Sequence, residues 1–257
     1  MNRRFFDLLI LLAALCFVLP LCSVFTGSLT DNGAFSFSEY IDLLLWGSRF
    51  LRLYLNSAVI SVLSALGGII VACVLGFTFA KIKSRILNGF FILVMVLMLM
   101  PYQVTSLPLY IVSKWLHIYD TYWAVILPAW FSAFGIFLMR QFFVSVPNEV
   151  IEAASLETSS PVTLLRHIAI PMVRSGIAVL ALLCFAESWN AVDLPLILIQ
   201  NEQLRPLSLI LGDVVNSEKD SSFAGAVLYI IPILLLYFTV DTSSVMGIGS
   251  LGKGGRA

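Results

Sequence analysis

Glu187, Asn190 and Asp193 follow one another at three-residue steps inside SGIAVLALLCFAESWNAVDLPLILI, an apolar run long enough to cross a bilayer. Those steps keep the three polar side chains within one broad face of a helix. An ionisable group at that depth is costly, so by default it marks a functional position that faces a pathway or a partner chain. The alternative is a Glu187 that is hydrogen-bonded or protonated between packed helices and touches no solute. Bond-making chemistry has no comparable foothold. H-E-x-x-H, G-x-S-x-G and G-x-x-x-x-G-K-[ST] are absent, and the two histidines, His117 and His167, are expected on opposite sides of a membrane. No catalytic residue, metal ligand or cofactor is expected in this chain, and His167 beside Arg166 reads as an ordinary solvated residue.

The elements that must position these groups are set by composition. Of 257 residues, 60% are hydrophobic and 12% charged, against about 25% charged in an average soluble domain. The chain is expected to be an all-α polytopic membrane protein, a single transmembrane domain over 1–257. Six apolar runs, at roughly 5–25, 56–80, 87–111, 122–140, 175–199 and 223–241, are each long enough to cross a bilayer core as a helix, which takes about 20 residues, so six transmembrane helices are expected. The first exceeds a signal-peptide core of about 7 to 15 residues and lacks a following small-x-small site, so it reads as a retained span. Cys16, Cys22, Cys73 and Cys184 fall within spans and read as small apolar packing residues.

Orientation follows from the basic residues, which stay in the cytoplasm. With six spans and an inside N-terminus, ten lie inside (Arg3, Arg4, Lys81, Lys83, Arg85, Arg140, Arg166, Arg174, Lys253, Arg256) and five outside (Arg49, Arg52, Lys114, Arg205, Lys219). Both termini are therefore expected in the cytoplasm. The formal net charge is zero, which gives no footing for a nucleic-acid partner.

Local signals refine the spans. Ser36 with Glu39 forms a capping-box pattern, and Ile41, Leu44, Leu45 and Leu51 suggest either a short outer-surface helix or an early start to span two. Ser64, Ala65, Gly67 and Gly68 in SALGGII allow another helix to approach span two closely. In MPYQVTSLPLY, Pro101 and Pro108 each remove a backbone donor, and broken backbone at membrane depth is tolerated only against protein or a watery cavity. Trp115, Trp123, Trp130 and Trp189 suit stacking on sugar rings and interfacial anchoring equally. The glycine-rich tail GIGSLGKGG reads as a frayed end.

EAASLETSSPVTLLRHIAIP, from Glu152 to Pro171, is the longest passage suited to water. It lies in a cytoplasmic segment of about 141–174. Pro147 and Glu149 suit the first turn of a helix ending near Glu157, with Ala153 and Ala154 giving it a thin face. Ser160 as N-cap and Pro161 at the first helical position start a second helix, and Pro171 interrupts the path into span five. A preorganised helix pair of this kind can transmit a partner's motion as a rigid body.

This passage resembles the EAA loop of permease subunits of ABC importers, with Glu152, Ala153, Ala154, Ile168 and Pro171 matching the family pattern. LNSAVIS, MPYQVTSLPLY, DTYWAVILP, GIFLMRQFFVSVPNEVIEAA and SWNAVDLPLIL are similar to family segments in the same order. They point to the sugar-importing branch related to the smaller maltose permease subunit. The resemblance implies a bacterial plasma-membrane permease that forms half of a translocation pathway. Its implied partners are a second permease subunit in a heterodimer, two cytoplasmic ATP-binding subunits that hold ATP and Mg, and an external solute-binding protein. It places Glu152, Ala153, Ala154, Thr158 and Pro171 at or beside the ATPase contact, and Trp189 and Asn190 at the family's W-N. Thr158 stands where the family has glycine; a β-branched residue suits a left-handed turn poorly, so the turn is either different here or strained. Ala191 stands where an acidic residue often follows W-N, and the tail lacks basic residues before Lys253. A non-sugar solute such as a polyol phosphate or oligopeptide is the alternative. A self-sufficient secondary transporter would predict internal repeats and paired broken helices, and a membrane enzyme would need a one-sided catalytic cluster.

Overall fold

The computed structural model describes residues 3–31, 34–41, 43–44, 48–158, 160–211 and 222–240. It is built of helices, with a two-residue hairpin, Thr30–Asp31 against Ala34–Phe35, after the first. The helices are α1 (Arg3–Gly27), α2 (Ser38–Ile41), α3 (Ser48–Lys81), α4 (Arg85–Met98), α5 (Tyr102–Trp115), α6 (Trp123–Trp130) and α7 (Ala133–Ser145). After them come α8 (Asn148–Glu157), α9 (Pro161–Leu164), α10 (Ile170–Met172), α11 (Arg174–Trp189), α12 (Asp193–Leu198) and α13 (Ser222–Thr239).

The long helix α3 is the axis of the fold. Its 34 residues contain no proline, and at 1.5 Å per residue it runs about 50 Å, more than a bilayer core. It starts at Ser48, so the early-start reading of span two holds. Ahead of it, α2 is a single turn in which Ser36 Oγ accepts from the Ser38 amide at 3.0 Å. Leu45 and Trp46, part of the expected surface helix, lie outside the described residues.

α7, α11 and α6 pack around α3. The core between them is apolar, with Ile136, Met139 and Phe143 fully buried beside Ala72, Leu180 and Val173. Small residues bring the backbones together. A Cβ on Gly76 would lie 2.8 Å from the Met139 Cβ, and one on Gly67 would lie 2.0 Å from the Trp130 indole nitrogen. That nitrogen donates to the Leu63 carbonyl at 3.0 Å, so the expected close approach at SALGGII is realised as a locked contact. Phe17 and Leu19 of α1 and Phe238 of α13 point outward, as suits lipid or a partner.

Among the described residues the apolar runs form helices, but three segments, Leu9–Gly27, Arg49–Lys81 and Trp123–Ser145, have spanning length and composition by themselves. The third expected span is two helices, α4 and α5, meeting at 108°. Pro101 accounts for the break: it has no amide hydrogen, biases Met100 away from helical geometry, and becomes the extended N-cap of α5. Pro108 does not end its helix and sits inside α5. The fifth expected span, 175–199, is also corrected. α11 stops at Trp189, and the chain resumes as the separate helix α12 at Asp193. Asn190 is therefore a cap, and the expected single helical face carrying Glu187, Asn190 and Asp193 does not exist.

Candidate functional site

Three helix interruptions converge on one cavity. Between α4 and α5 it is Leu99–Pro101. Between α6 and α7 the chain turns at Phe131, and Ser132 caps α7 by accepting the Gly135 amide at 3.0 Å. Between α11 and α12 the helix ends at Asn190, whose side-chain amide donates to the Ala186 carbonyl at 2.8 Å and so competes with continuation. The Tyr229 hydroxyl of α13 fixes that end, 3.0 Å from Asn190 Oδ1 and 3.1 Å from the Trp189 carbonyl oxygen.

The cavity has a volume of about 620 Å³. Its polar wall carries Tyr102 and Thr105 of α5, Ser132, Glu187, Ser188, Asn190 and Asp193; Leu97, Met98, Val125 and Phe134 supply apolar wall. Glu187, Asn190 and Asp193 thus share one space because a helix breaks between them. Glu187 and Asp193 are exposed on the wall. Neither makes a side-chain hydrogen bond or ion pair among the described residues, so the partnered-between-helices reading of Glu187 finds no partner among them.

Trp189 is elsewhere. It is 1% exposed and does not line the cavity. Its indole donates to the Tyr229 carbonyl at 3.1 Å, stacks on Phe185 and meets the edge of Tyr54. It joins α11 to α3 and α13 behind the wall.

A second polar assembly, missed from sequence, holds the segment after α12. Asn56 of α3, 6% exposed, donates to the carbonyls of Gln203 (2.8 Å) and Arg205 (2.9 Å) and accepts from the Tyr122 hydroxyl at 2.8 Å. Ser57 Oγ accepts the Leu207 amide at 2.8 Å. Asp120 Oδ1 accepts the amides of Gln200 and Asn201, each at 2.8 Å, from a left-handed backbone at φ 60°. The signal was present as polar residues in LNSAVIS and DTYWAVILP, but their partners lie far along the chain.

At the other end of α3, the sequence-predicted helix pair is present. In α8, Glu152 and Ala153 are exposed, Ala154 is half-buried and Leu156 is 90% exposed, whereas Ile151 packs on the core. Ser160 Oγ accepts the Thr163 amide at 3.4 Å with Pro161 next, the expected cap. Thr158 resolves its own alternatives: at φ −142° and ψ 132° it is extended, and its Oγ1 accepts the Ser160 amide at 3.3 Å. Thr158 itself is therefore not left-handed and carries no left-handed strain. A π-helical turn, Leu165–Ala169, precedes Pro171, and the chain bends by 87° into α11. Lys81 Nζ, at the end of α3, donates to the Val146 carbonyl at 2.5 Å and to Asn148 Oδ1 at 2.9 Å, fastening the start of α8. Arg140 lies 4.2 Å over the Phe91 ring and braces α7 against α4.

Comparison with known proteins follows the same lines. Residues 64–244 match the family described as binding-protein-dependent transport system inner membrane component. The chain is 24% identical over 221 residues to the arabinooligosaccharides transport system permease protein AraQ of Bacillus subtilis, covering 85% of this chain and 79% of that protein. It is 29% identical over 202 residues to the sn-glycerol-3-phosphate transport system permease protein UgpE of Agrobacterium fabrum, covering 77% and 72%. In fold it is similar to a chain from the crystal structure of a bacterial ABC transporter involved in the import of the acidic polysaccharide alginate. The TM-score is 0.83 over 94% of this chain and 98% of that one, at 22% identity.

Proposed function

Because this chain belongs to the family of binding-protein-dependent transport system inner membrane components, we propose that it is the permease subunit of an ATP-driven importer of a sugar or oligosaccharide, with its cavity as this subunit's half of the pathway. It is a transport component, not an enzyme. A second permease closes the cavity, an external binding protein delivers the solute, and two cytoplasmic ATPases holding ATP and Mg drive the cycle. The chain sits in the bacterial inner membrane with both termini in the cytoplasm, a reading supported by the ten-to-five split of basic residues.

The observation that carries the ATP-driven reading is α8. A cavity between broken helices suits a secondary transporter equally well, but an outward face of Glu152, Ala153 and Leu156, fastened to α3 through Lys81, serves no need of this chain alone. Ala153 keeps that face thin enough for a partner's cleft. In the complete transporter, Ala153→Arg leaves the membrane helices folded and abolishes co-purification with the ATP-binding subunit. Retained ATPase binding together with coupled uptake in that variant overturns the assignment of α8.

A further inference from the structure

The cavity wall is chemically one-sided. It carries the carboxyl groups of Glu187 and Asp193, the amide of Asn190 and the hydroxyls of Tyr102, Thr105, Ser132 and Ser188, while among the described residues no Lys, Arg or His lines it. The Tyr102 hydroxyl is buried and has no hydrogen-bond partner among the described residues. The two acidic side chains are exposed on the wall with no cation paired to them among the described residues. A hydroxyl-rich solute satisfies such a surface, since each sugar hydroxyl both donates to a carboxyl oxygen and accepts from a phenol or serine. A phosphate or uronate carboxylate finds no cationic donor here and meets two acidic groups; losing its water without compensation is costly.

We infer that this subunit's wall selects for uncharged, hydroxyl-rich solutes and against phosphorylated or acidic ones. The inference rests on the cavity being part of the pathway. It separates the two transport systems named above: the solute of this chain belongs with neutral oligosaccharides and not with a polyol phosphate.

The test needs no knowledge of the solute. A single cysteine at Ser188, in a complete transporter with Cys16, Cys22, Cys73 and Cys184 replaced by serine, is labelled with three methanethiosulfonates of similar size: hydroxyethyl (neutral), ethyltrimethylammonium (cationic) and ethylsulfonate (anionic). Rates are divided by those of each reagent with free cysteine. The neutral and cationic reagents are expected to react, and the anionic one to lag by about ten-fold or more, the scale of a like-charge contact in a partly hydrated site. Glu187→Gln with Asp193→Asn abolishes the lag. Equal normalised rates for the neutral and anionic reagents overturn the selectivity, as does a lag that survives the double substitution. If the neutral reagent also fails to react while the cysteine labels normally after denaturation, the cavity is not water-connected and the pathway reading itself falls, taking the selectivity with it.

Discussion

Replacing Asn56 by alanine removes a junction through which α3 holds the segment following α12. The side chain makes three hydrogen bonds, two donated to the Gln203 and Arg205 carbonyls and one accepted from Tyr122. An unsatisfied buried polar group costs about 1–3 kcal/mol. The two carbonyls regain part of their bonding from water once the segment loosens, so the expected loss is about 3–4 kcal/mol. Tyr122→Phe removes one of the three bonds and is expected to cost about 1 kcal/mol. In the Asn56→Ala background that bond is already gone, so adding Tyr122→Phe costs nearly nothing more, a coupling of about 1 kcal/mol. Reversible unfolding in mixed micelles gives the energies, and cleavage after Glu202 by a glutamyl endopeptidase reports detachment of the segment directly. Because α12 leads into that segment and carries Asp193 onto the cavity wall, transport is expected to fall together with protection from the glutamyl endopeptidase. A loss below about 1 kcal/mol for Asn56→Ala, or strict additivity of the two substitutions, refutes the junction.

Lys81→Met removes both bonds fastening α8 to α3; amide exchange over 146–150 is expected to quicken and solute moved per ATP to fall, with Lys81→Arg restoring both and the global melting temperature little changed. Thr158→Gly is expected to destabilise the detergent-solubilised complex by about 1 kcal/mol, because the extended threonine gains nothing from glycine while the unfolded chain gains freedom; thermal unfolding that shows stabilisation instead contradicts the extended turn.

Local grammar was readable in the sequence where the cause was local. Ser160 and Pro161 start a helix because a hydroxyl and a ring act within one turn, and Gly67 announces close packing because nothing larger fits beneath the Trp130 indole. The termination of α11 was not readable. ESWNAVDLPLIL is apolar enough to continue as helix, and what ends it includes a hydroxyl, Tyr229, from another helix. The same holds for Asn56, whose partners are set by tertiary docking, and for Trp189, whose pairing with Asn190 in sequence hides opposite destinations, core and cavity. The chemistry of the site was thus legible, but its geometry was not, since a continuous helix and a broken one place the same three residues differently.

The short α11 also bears on how the protein is made. Chains emerge N-terminus first, and α3 has the length and apolarity to settle in a bilayer alone. α11 does not: it has 16 residues and carries Glu187 near its end, short of the about 20 residues a spanning helix needs. Its residence in the membrane depends on a surface already waiting there, the flank of α3 where Cys184 packs beside Gly68. Synthesis order therefore belongs to the specification of this fold, with the long helix α3 acting as the template on which the later, interrupted ones are laid down.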